Sequence, residues 1–156
     1  MKELIGFIEL LEGKELMPYK DEANLWTIGV GHLLRKSELT SGKLWIGNEV
    51  IRWRDGITND QCDKLLMQDL RPSMAVVNNY VTVPTAVEER HALVSFAFNI
   101  GSKAFKDSTL LRVLNTGDKL EVVIQFTRWI YADGHISGGL LKRRRKEMRL
   151  WLKKVY

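Results

Sequence analysis

Residues 12–32 read "EGKELMPYKDEANLWTIGVGH", a stretch with no helical period and three isolated polar residues. Its short apolar runs, "LMPYK" and "LWTIGVGHLL", are separated by the turn-forming "DEAN", which predicts a small β-meander over residues 15–35. Glu12 stands just before Gly13, Asp21 opens the turn, and Thr27 begins the glycine-punctuated run. The apolar residues around these three would fold as well without them, so their chemistry is the question the sequence poses.

Working outward, Leu4, Ile8 and Leu11 recur at helical spacing with Phe7 alongside, which predicts a helix over residues 2–12 that stops at Gly13. Downstream, "KLWI" and "EVIRW" flank Gly47-Asn48, a dipeptide suited to a tight hairpin turn, and Asp55-Gly56 closes this excursion. From Thr58 the pattern is helical. Thr58-Asn59-Asp60-Gln61 matches a capping box, and Cys62, Leu65, Leu66 and Leu70 continue an apolar stripe toward Val76 and Val77, with Pro72 expected to kink or divide the element. Thr85 to Glu88 predicts a second capping box, opening a helix that ends at Gly101. Ser108 caps "TLLRVLN", Gly117 ends it, and helical segments follow at about 118–131 and 138–154. The architecture expected is α+β, in a single domain of residues 1–156. A small β-containing lobe spans about 13–57, and a larger helical lobe comprises 1–12 and 58–156.

A hydrophobic fraction of 45% and a charged fraction of 28% are globular values and exclude wholesale disorder. The net charge of +5 favours an anionic partner: nucleic acid, a membrane or a wall polymer. The one cysteine, Cys62, excludes an internal disulfide, and His32, His91 and His135 show no metal-ligand spacing, so neither a metal nor another cofactor is expected. The N-terminal "MKELIGFIELLEG" carries Glu3, Glu9 and Glu12 among its apolar residues and reads as neither a signal peptide nor a membrane span. The expectation is a soluble cytosolic product that needs outside help for export.

Each of the three polar residues has an ordinary reading. Glu12 is a helix-end glutamate, Asp21 a turn residue bonding nearby N–H groups, and Thr27 a strand threonine. Glu12, however, sits where the helix dipole is negative and a carboxylate charge is disfavoured, a setting suited to a general acid. Together the three supply two carboxylates and a hydroxyl beside one helix end. Glycoside hydrolysis needs such a set: one acid to protonate the leaving oxygen, and a second carboxylate to stabilise the transition state or activate water.

Glu12, Asp21 nine residues on and Thr27 six further, set in "EG…YKD…TIGVGH", resemble the catalytic signature of the phage-type lysozymes, or endolysins. "LVSFAFNIGSKAFKDSTLLRVLN" and "RWIYADG…GLLKRRRKEMRLW" are similar to that family's helical segments in the same order, so the likeness spans nearly the whole chain. It implies a lysozyme-like fold with the active-site cleft between the lobes. The implied activity is a muramidase that cuts the β-1,4 bond between N-acetylmuramic acid and N-acetylglucosamine in peptidoglycan and lyses the host. Glu12 is then the general acid, and Asp21 with Thr27 holds the attacking water in an inverting reaction. The resemblance also assigns Leu33, Phe98 and Ser108 to the sugar cleft, although Leu33 and Phe98 read equally as core residues and Ser108 as a helix cap. It further implies a structural ion pair between His32 and Asp69. Asn24 stands where many relatives have glycine, and it too tolerates a left-handed backbone. Trp45 and Trp53 in the hairpin read more as cross-strand braces than as a sugar subsite.

The C-terminal "LLKRRRKEMRLWLKKVY" holds eight Lys or Arg against one acidic residue. Leu141, Met148, Leu152 and Val155 fall on one face, as in a core-packed helix with a solvated cationic side. The resemblance places one arginine of this cluster, among Arg143, Arg144 and Arg145, near the catalytic glutamate. The rest of the charge attracts an anionic cell-envelope surface. A lytic transglycosylase and a non-enzymatic nucleic-acid or membrane binder are the alternatives. The preferred reading is a monomer without a nucleic-acid partner or stable membrane insertion, accumulating in the host cytoplasm until a holin opens the route to the periplasm and wall.

Overall fold

Helix α1 (Lys2–Glu12) buries Leu4 and Ile8, and Gly13 at φ 80° ends it by donating its N–H to the Glu9 carbonyl. A computed structural model describes residues 1–153; the chain divides into two compact units, Met1–Arg71 and Pro72–Tyr156. In the first unit the meander forms as expected. Strands β1 (Glu15–Lys20), β2 (Trp26–Gly29) and β3 (His32–Leu33) pair antiparallel in that order. The register shifts between Glu15 and Tyr19, where Pro18 has no N–H to give, so β1 suits the sheet edge. Asn24 takes φ 61° in the β1–β2 turn, the left-handed conformation expected of it.

A short helix α2 (Lys36–Ser41), not expected from the sequence, follows β3, with Glu38 Oε2 accepting the Arg35 N–H at 2.7 Å. Strands β4 (Lys43–Ile46) and β5 (Glu49–Arg52) then form the expected hairpin, closed by a 3-10 turn over Trp53–Asp55. The two tryptophans part company. Trp53 is 1% exposed, packs at 5.6 Å on Trp26 and donates Nε1–H to the Glu38 carbonyl, whereas Trp45 is 60% exposed. Trp53 therefore braces the unit from behind the hairpin, and Trp45 pairs across the strands only with Val50.

Helix α3 (Asn59–Tyr80) opens on the predicted box, with Thr58 and Gln61 exchanging backbone-to-side-chain bonds at 2.9 and 3.2 Å. Pro72 does not divide it. The second predicted box is displaced by one residue: α4 (Val87–Ile100) begins after Ala86, whose N–H is accepted by Glu89 rather than by a partner of Thr85. The Thr85 hydroxyl instead accepts from Arg90, and Glu89 also binds Lys119 at 2.8 Å.

The second unit continues with α5 (Ser102–Lys106), α6 (Thr109–Asn115) and α7 (Lys119–Phe126). Helix α7 stops at Phe126 rather than near 131. Strands β6 (Tyr131–Ala132) and β7 (His135–Ile136) follow, paired around Asp133 and Gly134 at φ 51° and 77°, the two positive values of a tight hairpin turn. Helix α8 (Gly138–Leu152) ends the described chain. Phe96 on α4 is the hub of this core, with Phe126 and Trp129 edge-on at 5.2 and 5.5 Å. The inward face of α8 is not the expected one: Arg143, Arg144, Glu147 and Trp151 are buried, Leu141, Met148 and Leu152 are half-buried, and Val155 lies outside the described residues.

Candidate active site

Glu12 and Gly13 at the end of α1, with Lys14, Glu15 and Tyr19, line a cavity of 440 Å³ in the first unit. Of these lining residues, Tyr19 is the one that the strand register relates to Thr27 and Leu33. Tyr19 stands opposite Thr27, and Thr27 opposite Leu33, so these three form one row across a single face of the sheet. The opposite face carries Ile28 and His32, both buried. Burial first, and then the charges of Asp21, Glu15 and Glu12, push the Tyr19 phenol above its ordinary value. Glu12 and Asp21 thus act on one side chain, which is itself paired with Thr27. Tyr19 was not singled out by sequence reasoning; the signal for it was its place in "YKD", two residues before Asp21.

Local bonds fix the candidates. Asp21 Oδ1 accepts the N–H groups of Ala23 and Leu25, each at 2.9 Å, so the turn is wound around its carboxylate. Thr27 is 4% exposed and donates its hydroxyl proton to the Leu25 carbonyl at 3.2 Å, which leaves Oγ1 as an acceptor. Lys14 binds Glu9 at 2.7 Å and Asp63 at 3.0 Å, fastening the chain after α1 to α3. Behind the sheet, His32 Nδ1 meets Asp69 of α3 at 2.8 Å and Nε2 meets Glu38 at 3.4 Å. Burial alone would lower the imidazole; the hydrogen bond and charge of Asp69, then Glu38, outweigh it and raise the histidine above its ordinary value.

Leu33 shares the first unit with the polar trio and is 48% exposed. Phe98 and Ser108 belong to the second unit. Phe98 is half-buried on α4. Ser108 is buried, with its hydroxyl donating to the Phe105 carbonyl at 2.7 Å and accepting the Leu111 N–H at 3.1 Å, the cap of α6. Also in this unit, Glu147 receives the Ser95 hydroxyl at 2.6 Å, Arg143 Nε at 3.2 Å and Arg144 Nη1, while Arg144 also binds Asn99 and the Trp129 carbonyl. Burial raises the Glu147 carboxyl above its ordinary value against the pull of Arg144 and Ser95. Arg145 is exposed. Among the described residues no group of three or more His, Cys, Asp or Glu is placed to hold a metal, and no helix is long and apolar enough to cross a membrane.

The phage lysozyme family model matches residues 9–147, which includes every candidate above. The chain belongs to the phage lysozyme family. The SAR-endolysin of Escherichia phage Mu is 37% identical over 141 residues, covering 90% of this chain and 74% of that protein. A mutant of P22 lysozyme superposes with a TM-score of 0.80 at 34% identity, covering 97% of each chain. The muramidase domain of SpmX from Asticaccaulis excentricus gives 0.78 at 30% identity, covering 97% of this chain and 96% of that one. The mixed helical and small-sheet fold is that of these lysozymes. Family membership implies a peptidoglycan-hydrolysing enzyme with peptidoglycan as its substrate.

Proposed function

We propose that the chain is an endolysin with muramidase activity, cutting the β-1,4 bond between N-acetylmuramic acid and N-acetylglucosamine. The observation that carries this reading is the grouping of Glu12, Asp21 and Thr27 about Tyr19 in one unit. Glu12, lining the cavity at the end of α1, is the general acid that protonates the leaving oxygen. A water donates a hydrogen bond to Thr27 Oγ1, whose own proton is held by Leu25, and transfers its other proton to the Asp21 carboxylate as the oxygen attacks the anomeric carbon, so the hydrogen it keeps becomes that of the new hydroxyl. Attack by water on the face opposite the leaving group inverts the anomeric centre, which needs carboxyl groups about 6.5–9.5 Å apart.

Leu33, in the same row as Thr27, is assigned to sugar contact in the first unit, and Phe98 and Ser108 to sugar contact in the second, Ser108 acting through the start of α6. The reading keeps a single domain, with the β-containing lobe at about 13–57, and a monomer that uses no cofactor. Its accumulation in the host cytoplasm and release through a holin belong to the same proposal. Fractionation of cells before lysis tests that route, and a membrane-bound pool would contradict it.

Turbidity of chloroform-treated Gram-negative cells tests the activity. The unsubstituted protein clears them, and Glu12→Gln loses clearance with its melting temperature kept. Clearance by Glu12→Gln would favour a non-enzymatic basic binder. Proton NMR of fresh product gives the α-anomer first, whereas a β-anomer would refute inversion.

A further inference from the structure

The β4–β5 hairpin has two unlike faces. Its register sets Leu44 opposite Ile51 and Ile46 opposite Glu49 on one side, where Leu44 and Ile46 are fully buried. On the other side Lys43 stands opposite Arg52 and Trp45 opposite Val50, all four exposed. Folding does not account for this outer face. Like charges directly opposite destabilise a strand pair, and an indole left 60% exposed contributes little to a core. Arg52 also meets Asp55 at 3.5 Å, an exposed pair that is worth little.

The backbone beneath this face is tied at both ends. Gln68 of α3 donates to the Trp45 carbonyl and accepts the Gly47 N–H, each at 3.2 Å, clamping the hairpin tip. At the other end Trp53 donates its backbone N–H to the Gly42 carbonyl at 3.3 Å. A strand backbone already clamped loses little freedom on binding, so only the Trp45 side chain has to order. Trp45 and Val50 offer too little apolar area to anchor in a bilayer, and Asp55 beside Arg52 interrupts a phosphate track. A flat aromatic face flanked by two cations suits instead a pyranose, with its C–H face, carrying carboxylate-bearing peptides.

We propose that the outer face of β4–β5 is a second, non-catalytic contact for peptidoglycan. Trp45 stacks on a sugar ring, and Lys43 and Arg52 pair with carboxylates of the peptide stems. The inference rests on the peptidoglycan reading above.

Co-sedimentation with purified sacculi tests it on the Glu12→Gln protein, which holds the polymer intact. Adding Trp45→Ala, or Lys43→Gln with Arg52→Gln, is expected to weaken sacculus binding about three- to tenfold. Lys2→Gln with Lys36→Gln makes the same charge change at exposed positions of α1 and α2 and is expected to stay within about twofold. Melting temperatures establish folding, and the charge pair keeps the test decisive if the tryptophan variant fails to fold. Unchanged binding, or an equal loss in the Lys2 and Lys36 control, would overturn the proposal. So would a loss confined to phosphatidylglycerol vesicles or to single-stranded DNA. A failure of the unsubstituted protein to digest sacculi would strike the enzymatic reading alone, because the binding assay needs no turnover.

Discussion

Replacing Asp69 by Asn removes the charge from the carboxylate that meets His32 Nδ1 at 2.8 Å while keeping the shape of an acceptor. The histidine is buried and its pKa is raised above 6.5, so this contribution has a defined sign. A group whose folded pKa exceeds its unfolded value stabilises most below the unfolded value, and that stability is lost as pH rises through the folded one. Below about pH 6.5 the substitution turns a charge-assisted bond into a neutral one. Bonds to charged groups contribute about 1.5–3 kcal/mol and neutral ones about 0.5–1.5, so a loss of about 1–2 kcal/mol is expected at pH 5.5. For a chain of this length that is a fall in melting temperature of roughly 2–8 °C. Toward pH 9, as the pH rises through the raised folded value, the difference should shrink. Calorimetry of both proteins at the two pH values measures it. An equal fall at both, or a larger fall at pH 9, would refute the charged His32–Asp69 link.

Trp53→Ala empties the space behind the hairpin and is expected to cost about 3–5 kcal/mol, read as a loss of urea-unfolding free energy. Glu147→Ala leaves Arg143 and Arg144 buried without their carboxylate and should cost a similar amount; a near-neutral result would mean that the cluster is not charged as described. Gly13 and Gly56 share φ near 80° with extended ψ, a glycine-only conformation, so alanine at either costs about 1–3 kcal/mol. At Gly56 the new methyl would also lie 3.0 Å from the Leu16 carbonyl and 2.5 Å from Met17 Sδ, so Gly56→Ala should melt below Gly13→Ala.

The legible features were those set by neighbours in sequence. The Thr58–Gln61 box, the Gly47-Asn48 hairpin and the stop at Gly13 each rest on bonds within a few residues. With Glu88 and Glu89 adjacent, the box before α4 was misplaced by one residue, because Ala86 gives no side-chain signal for the helix start. The β6–β7 hairpin carried its own sign in Asp133-Gly134, but its strands are only two residues long and the apolar run before them reads as helix. Helix α8 misled for a tertiary reason. A cationic run normally faces solvent, yet Arg143, Arg144 and Glu147 satisfy one another through Ser95 and Asn99 of α4, partners more than 40 residues away. In the site, Glu12, Asp21 and Thr27 stood out by spacing and resemblance, whereas Tyr19 depends on the irregular register of β1, which alternation does not reveal.

Mass spectrometry of sacculi digested by the purified protein tests the central claim most directly. Glu12 as general acid and a water held by Asp21 and Thr27 predict fragments ending in reducing N-acetylmuramic acid, and none from folded Glu12→Gln. Fragments ending in 1,6-anhydro-muramic acid or in reducing N-acetylglucosamine, or unchanged digestion by Glu12→Gln, would contradict it.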